Sequence, residues 1–121
     1  MNQMTTANEG RIRVSKAEGT WVVRADGAVI AESRNAVDLS ETGYPSVIYF
    51  PRGDVAMAFL EPTGSGTTSP GKGAASWFSV VTSAKTLPDA AWSYESPKAG
   101  LERIAGHIAF YATDDVAVER L

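Results

Sequence analysis

"TWVVRADGAVIAES", Thr20–Ser33, is the stretch whose reading decides the fold. Two runs rich in Val and Ile flank Asp26-Gly27. An Asp-Gly pair between such runs is the strongest short-range signal for a two-residue β-hairpin, because both turn positions need a positive φ that Gly and Asp tolerate. Working outward, the same grammar continues. Arg11–Val14 and Asn35–Leu39 alternate as strands do. Glu41–Pro45 reads as a turn, Ser46–Phe50 as a buried strand, and Pro51–Val55 as the break that ends it. Ala56–Leu60 fits a helical turn as well as a strand, and Glu61–Gly73 reads as a long loop. Ala75–Ser83, Ala90–Glu95, His107–Ala112 and Val116–Leu121 read as further strands. The one helix expected is Ser96–Gly106, with Ser96 as N-cap, Pro97 at the first position and Gly100 interrupting it. Strands do not alternate regularly with helices, so a parallel doubly wound sheet is not expected. The reading is a mainly β, antiparallel architecture with one or two short helices, in one domain over residues 11–121 behind a frayed, flexible tail at residues 1–10.

Composition narrows the chemistry. The chain has 121 residues, 44% of them hydrophobic and 21% charged, which suffices for a core. It has no cysteine and one histidine, which excludes disulfides, thiolate catalysis, Cys-ligated zinc and any multi-histidine metal site. An all-carboxylate Mg²⁺ or Ca²⁺ site stays open in principle. Asp114 and Asp115 read as turn residues, and neither metal nor cofactor is expected. The net charge is −3 and no basic run stands out, so no nucleic-acid partner is expected. No apolar stretch approaches the ~18 residues of a membrane span, and Met1–Arg11 lacks the features of a signal peptide. The expectation is a cytoplasmic chain with no membrane partner.

"GTTSPGKG", Gly66–Gly73, has the glycine and lysine spacing of a phosphate-binding loop. Gly73, however, stands where the loop needs a hydroxyl for Mg²⁺. Pro70 lacks an N–H where the cradle needs one. The residues after it, AASWFSVV, read as a strand, whereas a phosphate loop opens a helix. The segment is therefore read as a loop whose Lys72 offers a point charge without a phosphate cradle.

Other residues carry candidate chemistry. Arg34, Glu41, Tyr49, Arg52 and Asp54 lie close in sequence and read either as local ion pairs or as a polar rim in which an arginine grips an anion. Trp92 and Tyr94 share one strand face, as core or as the wall of a pocket. Trp77 and Phe78 point to opposite faces. His107, with no nucleophile motif beside it, is a weak catalytic candidate.

"VVRADGAVIAESRNAVDLSETGYPSVIYFPRGDV", "TTSPGKGAASWFSV", "AAWSYESP" and "IAGHIAFY", in this order, resemble a bacterial and fungal family, domain of unknown function 427, over about Trp21 to Val118. The resemblance implies a tent-like arrangement of antiparallel sheets, similar to methionine-R-sulfoxide reductases and the ligand domain of cereblon. The zinc and the thiol chemistry of those proteins need cysteines that are absent here. The family is sometimes labelled nucleotidyltransferase-like, yet no Asp-x-Asp pair can be placed. Members often carry Cys-Pro-Tyr/Phe-Lys-Gly where this chain has Ser69-Pro70-Gly71-Lys72-Gly73. Arg34, Glu41, Pro45, Tyr49, Pro51, Arg52, Asp54, Thr68, Lys72, Gly73, Trp92 and Tyr94 match the family pattern, which implies that some of them surround a cleft.

Three functions follow as expectations. One is a domain that binds a small polar or anionic ligand between the sheets, using Arg34, Glu41, Tyr49, Arg52, Thr68, Lys72, Trp92 and Tyr94. Another is an enzyme on a nucleotide or other phosphorylated metabolite, with Glu41, Tyr49 or His107 as base or nucleophile. The third is an interaction module or homodimer that pairs through strand edges and the apolar Ala56–Leu60 segment.

Overall fold

The computed structural model describes residues 11–121, so the expected tail at residues 1–10 lies outside the described residues. Ten strands form: β1 (Ile12–Lys16), β2 (Trp21–Ala25), β3 (Ala28–Ser33), β4 (Val37–Glu41), β5 (Val47–Tyr49), β6 (Leu60–Ser69), β7 (Gly73–Val81), β8 (Thr86–Ser93), β9 (Ala109–Phe110) and β10 (Val116–Arg120). They make three antiparallel sheets, ordered β1-β4-β5, β10-β2-β3 and β6-β7-β8-β9. The mainly β, antiparallel expectation is met. Among the described residues, no helix is long and apolar enough to cross a membrane.

The Asp26-Gly27 hairpin forms as read. Both residues have positive φ, 56° and 79°, and Ala25 pairs with Ala28 across them. Those are the φ signs of a type I′ turn, whose twist matches that of the strands it joins. Asp26 also accepts a 2.6 Å hydrogen bond from the Thr82 hydroxyl, tying this hairpin to the end of β7.

Two expectations are corrected. Glu61–Gly73, read as a loop, is β6 as far as Ser69, the edge strand of its sheet, joined to β7 by a short turn at residues 70–72. An edge strand tolerates Pro62, and the pairing slips between Pro62 and Gly66. Ser96–Gly106, read as a helix, holds only a single 3₁₀ turn at Glu102–Ile104, without a side-chain cap. Its backbone is committed elsewhere: Lys98 N–H donates to Lys72 C=O at 2.9 Å and Gly106 N–H to Tyr94 C=O at 3.0 Å. Those tertiary bonds, with Gly100 at φ 94°, replace the ladder of a helix. Met57–Phe59 forms another 3₁₀ turn, and both Met57 and Phe59 pack against the core.

Strand alternation divides the interior in two. One cluster holds Val23, Ile30, Ile48, Phe50, Phe78, Val80, Ile108 and Phe110. The other holds Val37, Leu39, Tyr49, Ala75, Trp92, Tyr94, Leu101 and Ile104. On β5, Ile48 and Tyr49 therefore face opposite clusters. On β7 and β8, Phe78 and Ala91 face the first cluster while Trp92 faces the second, with Trp77 packed against it.

Candidate ligand-binding cleft

The sheets containing β5 and β9 meet at a single bridge. Phe50 and Ile108 exchange both backbone hydrogen bonds, at 2.8 and 2.9 Å. Beyond that pair no further bridge joins β5 to β9 among the described residues, and the strands part. By the alternation of an antiparallel ladder, the N–H and C=O of Ile48 and of Phe110 turn into the opening. A cleft of about 1080 Å³ occupies the fork, just above the usual range for small-ligand sites.

The lining is selective. All three tryptophans and all four tyrosines of the chain contribute to it: Trp21, Trp77 and Trp92, with Tyr44, Tyr49, Tyr94 and Tyr111. Of the four phenylalanines only Phe110 does. Trp and Tyr combine an apolar body with a polar tip, so they suit a wall that is part solvent and part ligand.

Trp77 and Trp92 are directly paired across β7 and β8, which fixes their rings side by side, centroids 5.4 Å apart. Tyr111, just after β9, stacks on Trp77 at 5.7 Å with the planes 13° apart and touches Trp92 at 4.7 Å. Tyr49 meets Trp92 edge-on at 6.4 Å and accepts a 3.2 Å hydrogen bond from its indole N–H. Burial holds the Tyr49 phenol firmly protonated, far above the usual tyrosine range; the Trp92 bond offsets only part of that. Trp77 Nε1 donates to Thr67 Oγ1 at 3.1 Å.

The polar wall comes from the β6–β7 turn. Lys72 N–H donates to Ser69 C=O, and Lys72 C=O accepts from Lys98 N–H, so the turn is pinned on both sides. Gly73 closes it at φ 111°, and a Cβ there would meet Ser96 O at 3.4 Å. The pinned turn sends Lys72 to Glu41 Oε1 at 2.9 Å, an ion pair whose side chains are only 17% and 21% exposed. Tyr94 lies beside that pair. Burial is the main cause raising its pKa, opposed by the Lys72 charge and reinforced by Glu41. Its hydroxyl has no hydrogen-bond partner among the described residues.

The structure thus brings Glu41, Tyr49, Lys72, Trp92 and Tyr94 together around the cleft. Arg34, Arg52 and Thr68 do not line it. Arg52 lies on the far face of β7–β8, where it grips Glu95 with both terminal nitrogens, donates to Gly106 C=O at 2.8 Å and sits 5.8 Å over the Phe78 ring. Arg34 follows β3, where its carbonyl accepts from Lys16 Nζ at 2.9 Å. Thr68 is exposed on edge strand β6, paired with Ala74. His107 does not line the cleft either; its Nδ1 is 3.2 Å from Ala105 C=O. Asp38, Trp21, Tyr44, Trp77 and Tyr111 also line the cleft and were not singled out as site residues from sequence. The side chains offer stacking surface, three phenols without a hydrogen bond among the described residues (Tyr44, Tyr94 and Tyr111), one ion pair and one carboxylate.

Fold and cleft together define an antiparallel β protein with an aromatic cleft where two sheets fork. A family model described as a domain of unknown function, DUF427, matches residues 13–120. The chain belongs to the DUF427 family. No curated protein sequence matches it. The family model carries the label NTP_transf_9. In this chain Gly66–Gly73 is the end of β6 and its turn into β7, and among the described residues no group of three or more His, Cys, Asp or Glu is placed to hold a metal.

Proposed function

We propose that this protein binds a small polar molecule with a flat, ring-like portion in the cleft between β5 and β9. The observation that carries the reading is the gathering of every Trp and Tyr of the chain around one concave surface, with Tyr49, Trp92 and Tyr94 as its buried floor and Trp21, Trp77, Tyr44 and Tyr111 still reached by solvent, while Phe50, Phe59 and Phe78 go to the other cluster. Trp and Tyr give such a surface apolar area for stacking together with polar tips for directional contacts. The flat portion stacks on Trp77, Trp92 and Tyr111. The Tyr94 hydroxyl and the Lys72–Glu41 pair supply the few directional contacts that fix orientation.

Thermal shift against a panel of small metabolites tests it. A ligand at 100 times its Kd stabilises by about 2.7 kcal/mol, or roughly 10 °C for a chain of this size. Hits are expected to lose most of that shift in Tyr94→Phe and to keep it in Thr68→Ala, which lies outside the cleft. A panel without hits, or hits indifferent to Tyr94→Phe, contradicts the reading.

A further inference from the structure

We infer that the ligand is cationic: a small molecule carrying an ammonium or guanidinium head beside its flat portion. The inference rests on the proposal that the cleft binds small molecules, and it names the class. Among the described residues, the charged side chains lining the cleft are Asp38, Glu41 and Lys72. Glu41 and Lys72 cancel each other across 2.9 Å. Asp38 is half-buried and has no hydrogen bond or ion pair among the described residues. It leaves the cleft with one uncompensated negative charge. The arginines that would have favoured an anion are elsewhere: Arg52 is held by Glu95 and Gly106 and does not line the cleft, and neither does Arg34. An anion entering here has to break the Lys72–Glu41 pair and approach the Asp38 carboxylate.

The aromatic wall pulls the same way. The faces of Trp and Tyr rings carry negative potential and attract cations, with Trp the strongest. Tyr44 and Tyr111 remain 68% and 49% exposed at the cleft. Alternation on β4 and β5 sets Asp38 and Ile48 on one face of their sheet, with Leu39 and Tyr49 on the other, yet all four line the cleft. The cleft therefore wraps the free edge of β5. A ligand spanning that edge places its head near Asp38 and its ring against the aromatic wall. The Ile48 carbonyl, turned into the opening, is an acceptor for head-group N–H.

Titrations read by indole fluorescence test this with three probes of one ring: benzyltrimethylammonium, benzyl alcohol and benzenesulfonate. The cation is expected to bind about tenfold more tightly than the other two. Asp38→Asn is expected to remove most of that preference while leaving benzyl alcohol unchanged. The substitution breaks no hydrogen bond, so the variant folds, which its circular dichroism verifies. Equal or tighter binding of the alcohol or the sulfonate, or a preference that survives Asp38→Asn, overturns the inference but leaves the small-molecule reading standing. Quenching by none of the three overturns both.

Discussion

At the scale of single residues, the cleft depends on polar tips attached to apolar bodies, and Tyr49 shows the energetics. Its ring is buried with Trp92 edge-on, and its hydroxyl is the acceptor for the Trp92 indole N–H. Removing that oxygen in Tyr49→Phe strands a buried donor. The expected cost is about 1–3 kcal/mol at neutral pH, measured by chemical denaturation. Its titration gives a second readout. Burial raises the pKa of Tyr49, and of Tyr94, above the tyrosine value of 10.0. In the unfolded chain these phenols lose their protons near that value while the folded chain retains them. Their contribution is thus fully present below about pH 10 and is lost as pH rises toward the folded pKa. Stability is expected to fall above pH 10 at up to about 1.4 kcal/mol per pH unit for each retained proton. Tyr49→Phe flattens that fall. An unchanged alkaline slope in the variant contradicts the account of Tyr49.

At the scale of elements, turns and edges decide what could be read in advance. The β2–β3 hairpin was legible because Asp26-Gly27 carries its geometry in two residues. Gly27→Ala puts a Cβ at φ 79°, where nothing crowds it within 4 Å, so the cost is conformational alone. About 1 kcal/mol is expected. Gly53→Ala, in the Arg52–Asp54 3₁₀ turn and equally uncrowded, has no positive φ and is expected to be neutral or stabilising by up to about 1 kcal/mol. Equal effects of the two in urea denaturation would contradict the turn assignment. Pro62, Gly64 and Gly66 hid β6, because the tolerance of an edge strand for such residues depends on what lies beside it, and that is tertiary information. Ser96-Pro97 carried a true helix-start pattern, but its backbone bonds to Lys72 and Tyr94 are long-range and leave no local trace. Five cleft residues, Glu41, Tyr49, Lys72, Trp92 and Tyr94, were legible through the family pattern and strand alternation. Trp21, Trp77 and Tyr111 were not, because they come from three different strands or loops and converge only once β5 and β9 fork. The same gap misplaced Arg52: its proximity in sequence to Tyr49 says nothing about the sheet that separates their side chains.

At the scale of the whole molecule, the cleft follows from topology. Three antiparallel sheets need not close into a barrel, and here two of them touch at one bridge, Phe50 with Ile108, then diverge. The chain places its amphipathic aromatics along that divergence and three of its four phenylalanines, Phe50, Phe59 and Phe78, away from it. The central claim is that this surface is where a ligand binds, and the three indole N–H groups report on it directly, since Trp21, Trp77 and Trp92 all line the cleft. The decisive measurement is a ¹H–¹⁵N NMR titration of the full chain with each compound that stabilises it. The account predicts that the indole signals of Trp77 and Trp92 shift first and together, with the backbone signals of Ile48, Lys72 and Tyr111 following. Shifts confined to Arg34, Arg52 or Thr68 and their neighbours, with all three indole signals unmoved, would contradict it.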